Sequence, residues 1–228
     1  MTTEADHSAS AAIFCLFAKP PRAGTVKTRL IPAIGAEAAA ALATALLRDT
    51  FAQLSQVEGA EVVIASTALE GIPIERATVW LQGDGDLGAR LERVLRRALR
   101  DVPMVFAVGA DSPGLSRERY ERAIEALAHA DAVLGPSEDG GFYLLGLRAC
   151  PEGLLAELPW SVENTYAATR GRLWSRGLVV AELAPWFDID RVEDFENAFE
   201  RLHGQPALAP ATIEWLGQWR RTRGTSDG

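Results

Sequence analysis

Alternating apolar strands and amphipathic helices run the length of this chain, and they predict one three-layer α/β/α sandwich with a mostly parallel central sheet. Two stretches carry that expectation. Ala11 to Ala18 (AAIFCLFA) is unbroken apolar sequence, as required of a strand buried on both faces, and such strands belong to parallel sheets. Val105 to Leu115 (VFAVGADSPGL) repeats the pattern and ends in Asp-Ser-Pro, which stops a strand because proline cannot continue the hydrogen-bonded ladder. No linker interrupts the alternation. The 228 residues are therefore read as one domain over 11–205, with a polar, disordered tail at 1–10 and a C-terminal helix and tail at 206–228 packed on the same body.

After the first strand comes the loop Lys19 to Ile31 (KPPRAGTVKTRLI), then an alanine-rich helix from about Ala36 to Leu54 with high intrinsic propensity. Glu61 to Ser66 and Thr78 to Leu81 read as strands. Leu87 to Arg100 places leucines and arginines at helical spacing, and most of its arginines belong to a solvated face. The strand ending at Asp111 follows, then a helix from Ser116, a good N-cap residue, to about Ala128. Ala132 to Leu134 and Gly141 to Leu147 are strands joined by GPSEDG. The stretch from Trp160 to Gly177 is helical, Leu178 to Leu183 is the last strand, and DIDRVEDFENAFERL closes the core as a helix. Trp215 and Trp219, one turn apart, are expected to pack the final helix back onto the body.

Composition excludes several classes of function. With 23 basic and 31 acidic residues the net charge is −8, unsuited to the concentrated positive surface that nucleic acid demands. A small, anionic, metal-chelated substrate is compatible with that balance. The opening MTTEADHSAS lacks the cationic start and apolar core of a signal peptide, and no apolar run is long enough to cross a bilayer, so a cytoplasmic location is expected. Cys15 and Cys150 make no disulfide framework, and Cys15 reads as a small buried residue. His7, His129 and His203 lie outside every motif, which leaves zinc without support.

In open α/β sheets ligands sit beyond the carboxyl ends of the strands, so the loops leaving each strand are the candidate site. In the first loop Arg22, Gly24, Lys27, Thr28 and Arg29 place three cations and a hydroxyl between a buried strand and a helix, which suits a phosphate; Val26 in place of a glycine before Lys27 excludes a Walker loop. Gly83 to Gly88 (GDGDLG) matches a dinucleotide fingerprint literally, but two aspartates would occupy the pyrophosphate's place, so Asp86 is read as a helix cap while Gln82 and Arg90 face the site. Asp139 with Gly140 and Gly141 fits a close approach of backbone and carboxylate to a ligand, or a hairpin turn. In Asp188-Ile189-Asp190 an extended segment aims both carboxylates to one side, and Asp190 could also cap the following helix. Asp111 and Asp190 together could hold a hard divalent cation, which takes oxygen ligands from one or two carboxylates and from substrate phosphates.

The segments FAKPPRAGTVKTRL, QGDGDLGARL, GADSPGL, GPSEDGGFYLLGL, PWSVENT and DIDRVEDF, in this order, resemble a bacterial family of glycosyltransferase A-type (GT-A) transferases, some associated with radical-SAM and selenium-related genes, within the nucleotide-diphospho-sugar transferase superfamily. The resemblance spans most of Ile13 to Leu202. It implies that Asp111 is the metal-binding aspartate and a catalytic residue, that Asp190, with Asp188, is the second metal position, and that Mg²⁺ or Mn²⁺ is the cofactor. Arg22, Gly24, Lys27, Arg29, Gln82, Gly140 and Gly141 would bind substrate, and Asp139 would orient or deprotonate the acceptor. Gly109 stands where a fuller Asp-x-Asp signature has its first aspartate, which weakens the case for strict metal dependence. The implied reaction is transfer of a sugar from a nucleotide sugar to a small-molecule acceptor. Because KTRL also resembles the phospholactate guanylyltransferases, nucleotidyl transfer from an NTP with release of pyrophosphate is the alternative. A silent nucleotide-binding protein is the third.

Overall fold

The computed structural model describes residues 10–224. The tail expected at 1–10 lies, apart from Ser10, outside the described residues. The described chain runs β1 (Ala12–Ala18), α1 (Ile31–Ile34), α2 (Ala36–Leu54), β2 (Ala60–Ser66), β3 (Thr78–Leu81), α3 (Leu87–Ala98), β4 (Met104–Gly109), α4 (Arg117–Ala128), β5 (Ala132–Pro136), β6 (Phe142–Leu147), α5 (Thr165–Ser175), β7 (Val180–Glu182), α6 (Asp194–His203), a short 3-10 turn (Pro206–Leu208) and α7 (Pro210–Gly224). Seven strands form one sheet in the order β3-β2-β1-β4-β6-β5-β7, so β4, the strand that leads to Asp111, is the middle one. Only β6 runs against its neighbours; the other pairings are parallel. The expected α/β/α architecture is the observed one.

Strand alternation builds the two halves of the core. On β1 and β4, Ile13, Cys15, Val105 and Ala107 pack toward the α3 and α5 side, while Phe14, Leu16, Phe106 and Val108 pack toward α2 and α4. Phe14 and Phe106 stack with centroids 4.7 Å apart, and Tyr120 of α4 closes on Phe14 edge-on at 5.5 Å. Cys15 and Cys150 are buried free thiols, and burial pushes each up to about 12, which makes both inert. Among the described residues no helix is long and apolar enough to cross a membrane.

Two local expectations change. Asp188 to Glu193 is not helical: α6 starts at Asp194, whose Oδ2 accepts from the backbone N–H groups of Asp190 (2.8 Å) and Arg191 (2.6 Å). Asp190 therefore does not cap the helix, whose N-cap is Glu193 with no side-chain cap, and the Asp190 carboxylate turns to the cleft. The last strand is also shorter, Val180–Glu182, because it has only β5 to pair with. The C-terminal helix packs back as expected, with Trp215 and Trp219 edge-on to Phe195 at 5.3 and 4.8 Å.

A tertiary cap fixes that last helix. Asp49 of α2, only 3 % exposed, accepts from the backbone N–H groups of Ala211 (3.1 Å) and Thr212 (2.7 Å), two of the unpaired donors at the start of α7. Asp49→Ala is expected to cost about 1–2 kcal/mol, or roughly 2–8 °C of melting temperature. A thermal melt that does not move would show that α7 is held by its tryptophans alone.

Candidate active site

Because β6 runs opposite to β4 and β5, its first residue lies beside their last ones. The ends of β1 to β5 and β7 and the start of β6 therefore open onto one edge of the sheet, where residues at or just past the ends of β1, β3, β4 and β5, the start of β6 and the segment after β7 line a cleft of about 1230 Å³. That volume is generous for one nucleotide and leaves room for a second substrate.

The first loop is pinned by buried Val26 and Leu30 and turns through Gly24 (φ 82°) and Lys27 (φ 46°). Lys27 then points into the protein, its side chain only 7 % exposed. Its ammonium donates to the carbonyl of Ile189 (2.5 Å) and to Asp190 Oδ1 (2.8 Å), and lies 2.5 Å from Asp111 Oδ1. Burial disfavours this charge, but the Asp111 and Asp190 carboxylates outweigh it and raise the lysine above its ordinary value, so it stays an ammonium. Burial likewise pushes Asp190 up, and Lys27, with Arg29 and Arg191, overcomes this and holds the carboxyl below its usual range. Arg29 Nη1 is 3.6 Å from Asp190 Oδ2 while 61 % of its side chain remains exposed, so it can also turn to a ligand.

Asp188 is the strained member. Burial first, then the neighbouring Asp139 and Asp190 carboxylates, push it up to about 7, and Lys27 only partly offsets them. Carboxylate oxygens of Asp139, Asp188 and Asp190 all lie within 4.8 Å of one another. A hard cation fits this group, since it would supply the positive charge that Asp188 lacks. Asp139 is oriented by its own turn: Oδ1 accepts from the N–H of Gly141 (2.9 Å) and Ser137 N–H donates to Gly141 (3.0 Å). Gly140, at φ 88°, must be glycine, because a Cβ there would lie 2.0 Å from the carbonyl oxygen of Glu163. The Asp-Gly-Gly sequence is thus both the β5–β6 connection and a close backbone approach, toward the 159–164 segment.

Of the residues singled out in the sequence, Lys27, Arg29, Gln82, Asp111, Asp139, Gly141, Asp188 and Asp190 line the cleft. Arg22, Gly24 and Gly140 are not among its lining residues; a Cβ on Gly71 would lie 3.4 Å from Arg22 Nη2, which places that guanidinium beside the 69–72 turn. Gln82 is 4 % exposed and joins three strand ends: its amide donates to Ala65 (2.7 Å) and Ala18 (3.4 Å), and its oxygen accepts from Arg90 (3.4 Å). Asp86 caps α3 by accepting from the N–H of Ala89 (2.8 Å). Phe142, Trp160, Glu163, Asn164, Arg191 and Asp194 also line the cleft. In the sequence PWSVENT offered no paired titratable groups to mark it.

With this geometry in view, known proteins can be compared. A 2-phospho-L-lactate guanylyltransferase of Methanopyrus kandleri is 30 % identical over 185 residues, 77 % of this chain and 85 % of that protein. The chain belongs to that guanylyltransferase's family. Residues 50–162 match the family described as uncharacterized protein conserved in bacteria (DUF2064). A candidate nucleotide-diphospho-sugar transferase from Desulfovibrio desulfuricans G20 is 26 % identical and superposes with a TM-score of 0.81 over 92 % of this chain and 98 % of its own. The CMP:2-keto-3-deoxy-manno-octonic acid synthetase structure complexed with CTP shares the fold at a TM-score of 0.58 and 13 % identity, covering 86 % of this chain and 99 % of that one. The fold is that of the nucleotide-diphospho-sugar transferases.

The Asp188 carboxyl titrates near 7 in the fold, against about 3.9 for an unfolded aspartate. Protonation therefore favours the fold, and the metal-free protein is expected to lose stability as pH rises from about 4 to about 7. Since a cation needs the deprotonated group, Mn²⁺ affinity measured by calorimetry is expected to weaken about tenfold per pH unit below 7, and to lose that slope in Asp188→Asn. A flat affinity across this range would remove Asp188 from the ligand set.

Proposed function

We propose that this chain is a divalent-metal-assisted transferase acting on a nucleotide, and that its reaction is nucleotidyl transfer from an NTP to a small-molecule acceptor. One observation carries the reading: Lys19, Arg29 and Arg90 line the same cleft as the clustered Asp139, Asp188 and Asp190 carboxylates, and the Lys27 ammonium lies beside them between Asp111 and Asp190. A triphosphate, with more charge than the diphosphate of a nucleotide sugar, makes fuller use of the cleft's cations. The guanylyltransferase named among the relatives supports the same choice.

In this reading an acceptor oxygen attacks the α-phosphorus, the bond to the bridging oxygen of the β-phosphate breaks, and pyrophosphate leaves with the electron pair. Arg29, with Lys19 and Arg90, binds the phosphates where charge accumulates, and Lys27 keeps Asp111 and Asp190 in place beside them. Asp139 receives or orients the acceptor's proton. A Mg²⁺ or Mn²⁺ ion held by Asp188 and Asp190, with Asp111 or Asp139, would neutralise the triphosphate and polarise the α-phosphate. Glycosyl transfer is the second reading, favoured by the Desulfovibrio protein's assignment.

A thermal-shift screen of the four NTPs and the matching NDP-sugars, with and without Mn²⁺, separates the two. One NTP is expected to stabilise the protein only with Mn²⁺, by about 2.7 kcal/mol at a hundred times its dissociation constant. Stronger stabilisation by an NDP-sugar would favour glycosyl transfer, and no shift with either would contradict both. Lys27→Met is expected to abolish the NTP shift, and pyrophosphate release with it, while the variant still melts cooperatively.

A further inference from the structure

Arg201 stands behind the cleft rather than in it. It lies in the last turn of α6, and that end of the helix is docked on the turn after β4: a Cβ at Gly114 would come within 2.3 Å of Leu202 Cδ2. From this fixed position the Arg201 guanidinium covers two aromatic rings, 5.0 Å from the centroid of Trp186 and 4.3 Å from that of Phe187. Its Nη1 also donates to both carboxylate oxygens of Glu138, at 2.8 and 3.0 Å. Arg201, Glu138, Trp186 and Phe187 are not among the residues that line the cleft.

Their neighbours are. Glu138 immediately precedes Asp139, and Phe187 immediately precedes Asp188. The two loops are joined at their base by backbone bonds, from the Trp186 N–H to Pro136 (3.0 Å) and from the Glu138 N–H to Trp186 (2.9 Å). Past that point the Asp139 and Asp188 carboxylates have oxygens within 4.8 Å of one another, and like charges this close push their loops apart. Arg201 opposes that separation. Its charge offsets Glu138, and a planar guanidinium can lie on aromatic faces while its N–H groups bond a carboxylate. Arg119 of α4 covers the Trp186 ring as well, at 4.5 Å, but its bonds go to Ala184 and Tyr143, so it is Arg201 that bridges the two acidic loops.

We propose that Arg201 is a positioning residue: by clamping Glu138 to the Trp186 and Phe187 rings, it holds the Asp139 turn and the Asp188 segment at the spacing that one divalent cation needs. This deepens the metal-assisted reading above and rests on it for the ion.

The test uses the full chain, with Mn²⁺ alone as the probe. Affinity is measured by calorimetry at one fixed pH, and amide exchange over 136–142 and 184–190 is measured by mass spectrometry without metal. Arg201→Ala is compared with Arg201→Met, which keeps apolar cover on the rings and so protects the fold. A clamp and a bare charge predict opposite signs. A cation beside a cation site weakens binding, so removing the charge alone would tighten Mn²⁺. Removing the clamp is expected to weaken Mn²⁺ by about tenfold in both variants and to speed exchange in both loops. In a Glu138→Ala background the further loss on Arg201→Ala is expected to fall below about twofold, because the two residues act as one unit. Unchanged or tighter Mn²⁺ binding in the Arg201 variants overturns the proposal, and so does a full tenfold loss in the Glu138→Ala background. A wild-type chain that binds no Mn²⁺ would instead strike the metal-assisted reading; the clamp is then judged by exchange, and unchanged exchange in the Arg201 variants overturns it.

Discussion

The ammonium of Lys27 is the contact on which the cleft depends. It joins the loop after the first strand to a segment more than 160 residues later, through Ile189 and Asp190, and ties both to Asp111, just past the end of the middle strand. A buried charge is tolerated only when paired and hydrogen-bonded, and this lysine has three oxygen partners. Its backbone sits at φ 46°, in the left-handed region that side-chain-bearing residues adopt at a cost of roughly 1–3 kcal/mol. The loop accepts that cost because only this turn delivers the ammonium to the carboxylates. Without it, the Asp111, Asp188 and Asp190 carboxylates would repel one another with no ammonium to offset them.

Sheet topology decides what that lysine can reach. With β4 central and β6 reversed beside it, chain segments far apart in sequence finish on one edge, cationic loops to the β1 side and carboxylates to the β5 and β7 side. Lys27 meets Asp111 where the ends of β1 and β4 adjoin, and reaches Asp190 from the segment after β7.

Most of the architecture was legible in the sequence because it rests on local signals. Continuous apolar runs marked β1 and β4, and the helical spacing of Leu87, Leu91, Val94 and Leu95 marked α3. Asp188 to Glu193 misled because its composition is that of a helix start, while the contact with Lys27 and the bonds from the Asp190 and Arg191 N–H groups to Asp194 hold it as an irregular segment ending in a turn; tertiary contacts overrode propensity. In the site, strand ends pointed to Lys27, Asp111, Asp139, Asp188 and Asp190, which the structure brings to one cleft. The sequence could not say that Lys27 faces inward, that Arg22 turns aside, or that Asp139 lies closer to Asp188 and Asp190 as a set than its place in a turn suggests, since each follows from packing between remote loops.

The central claim is that these carboxylates and Lys27 make one cation and phosphate site. Anomalous diffraction from crystals grown with Mn²⁺ and a non-hydrolysable NTP tests it most directly. The arrangement predicts manganese among the carboxylates of Asp139, Asp188, Asp190 and Asp111, with the triphosphate on the ion and against Arg29. Manganese bound elsewhere, or a triphosphate lying on the Phe142 and Trp160 side, would contradict it.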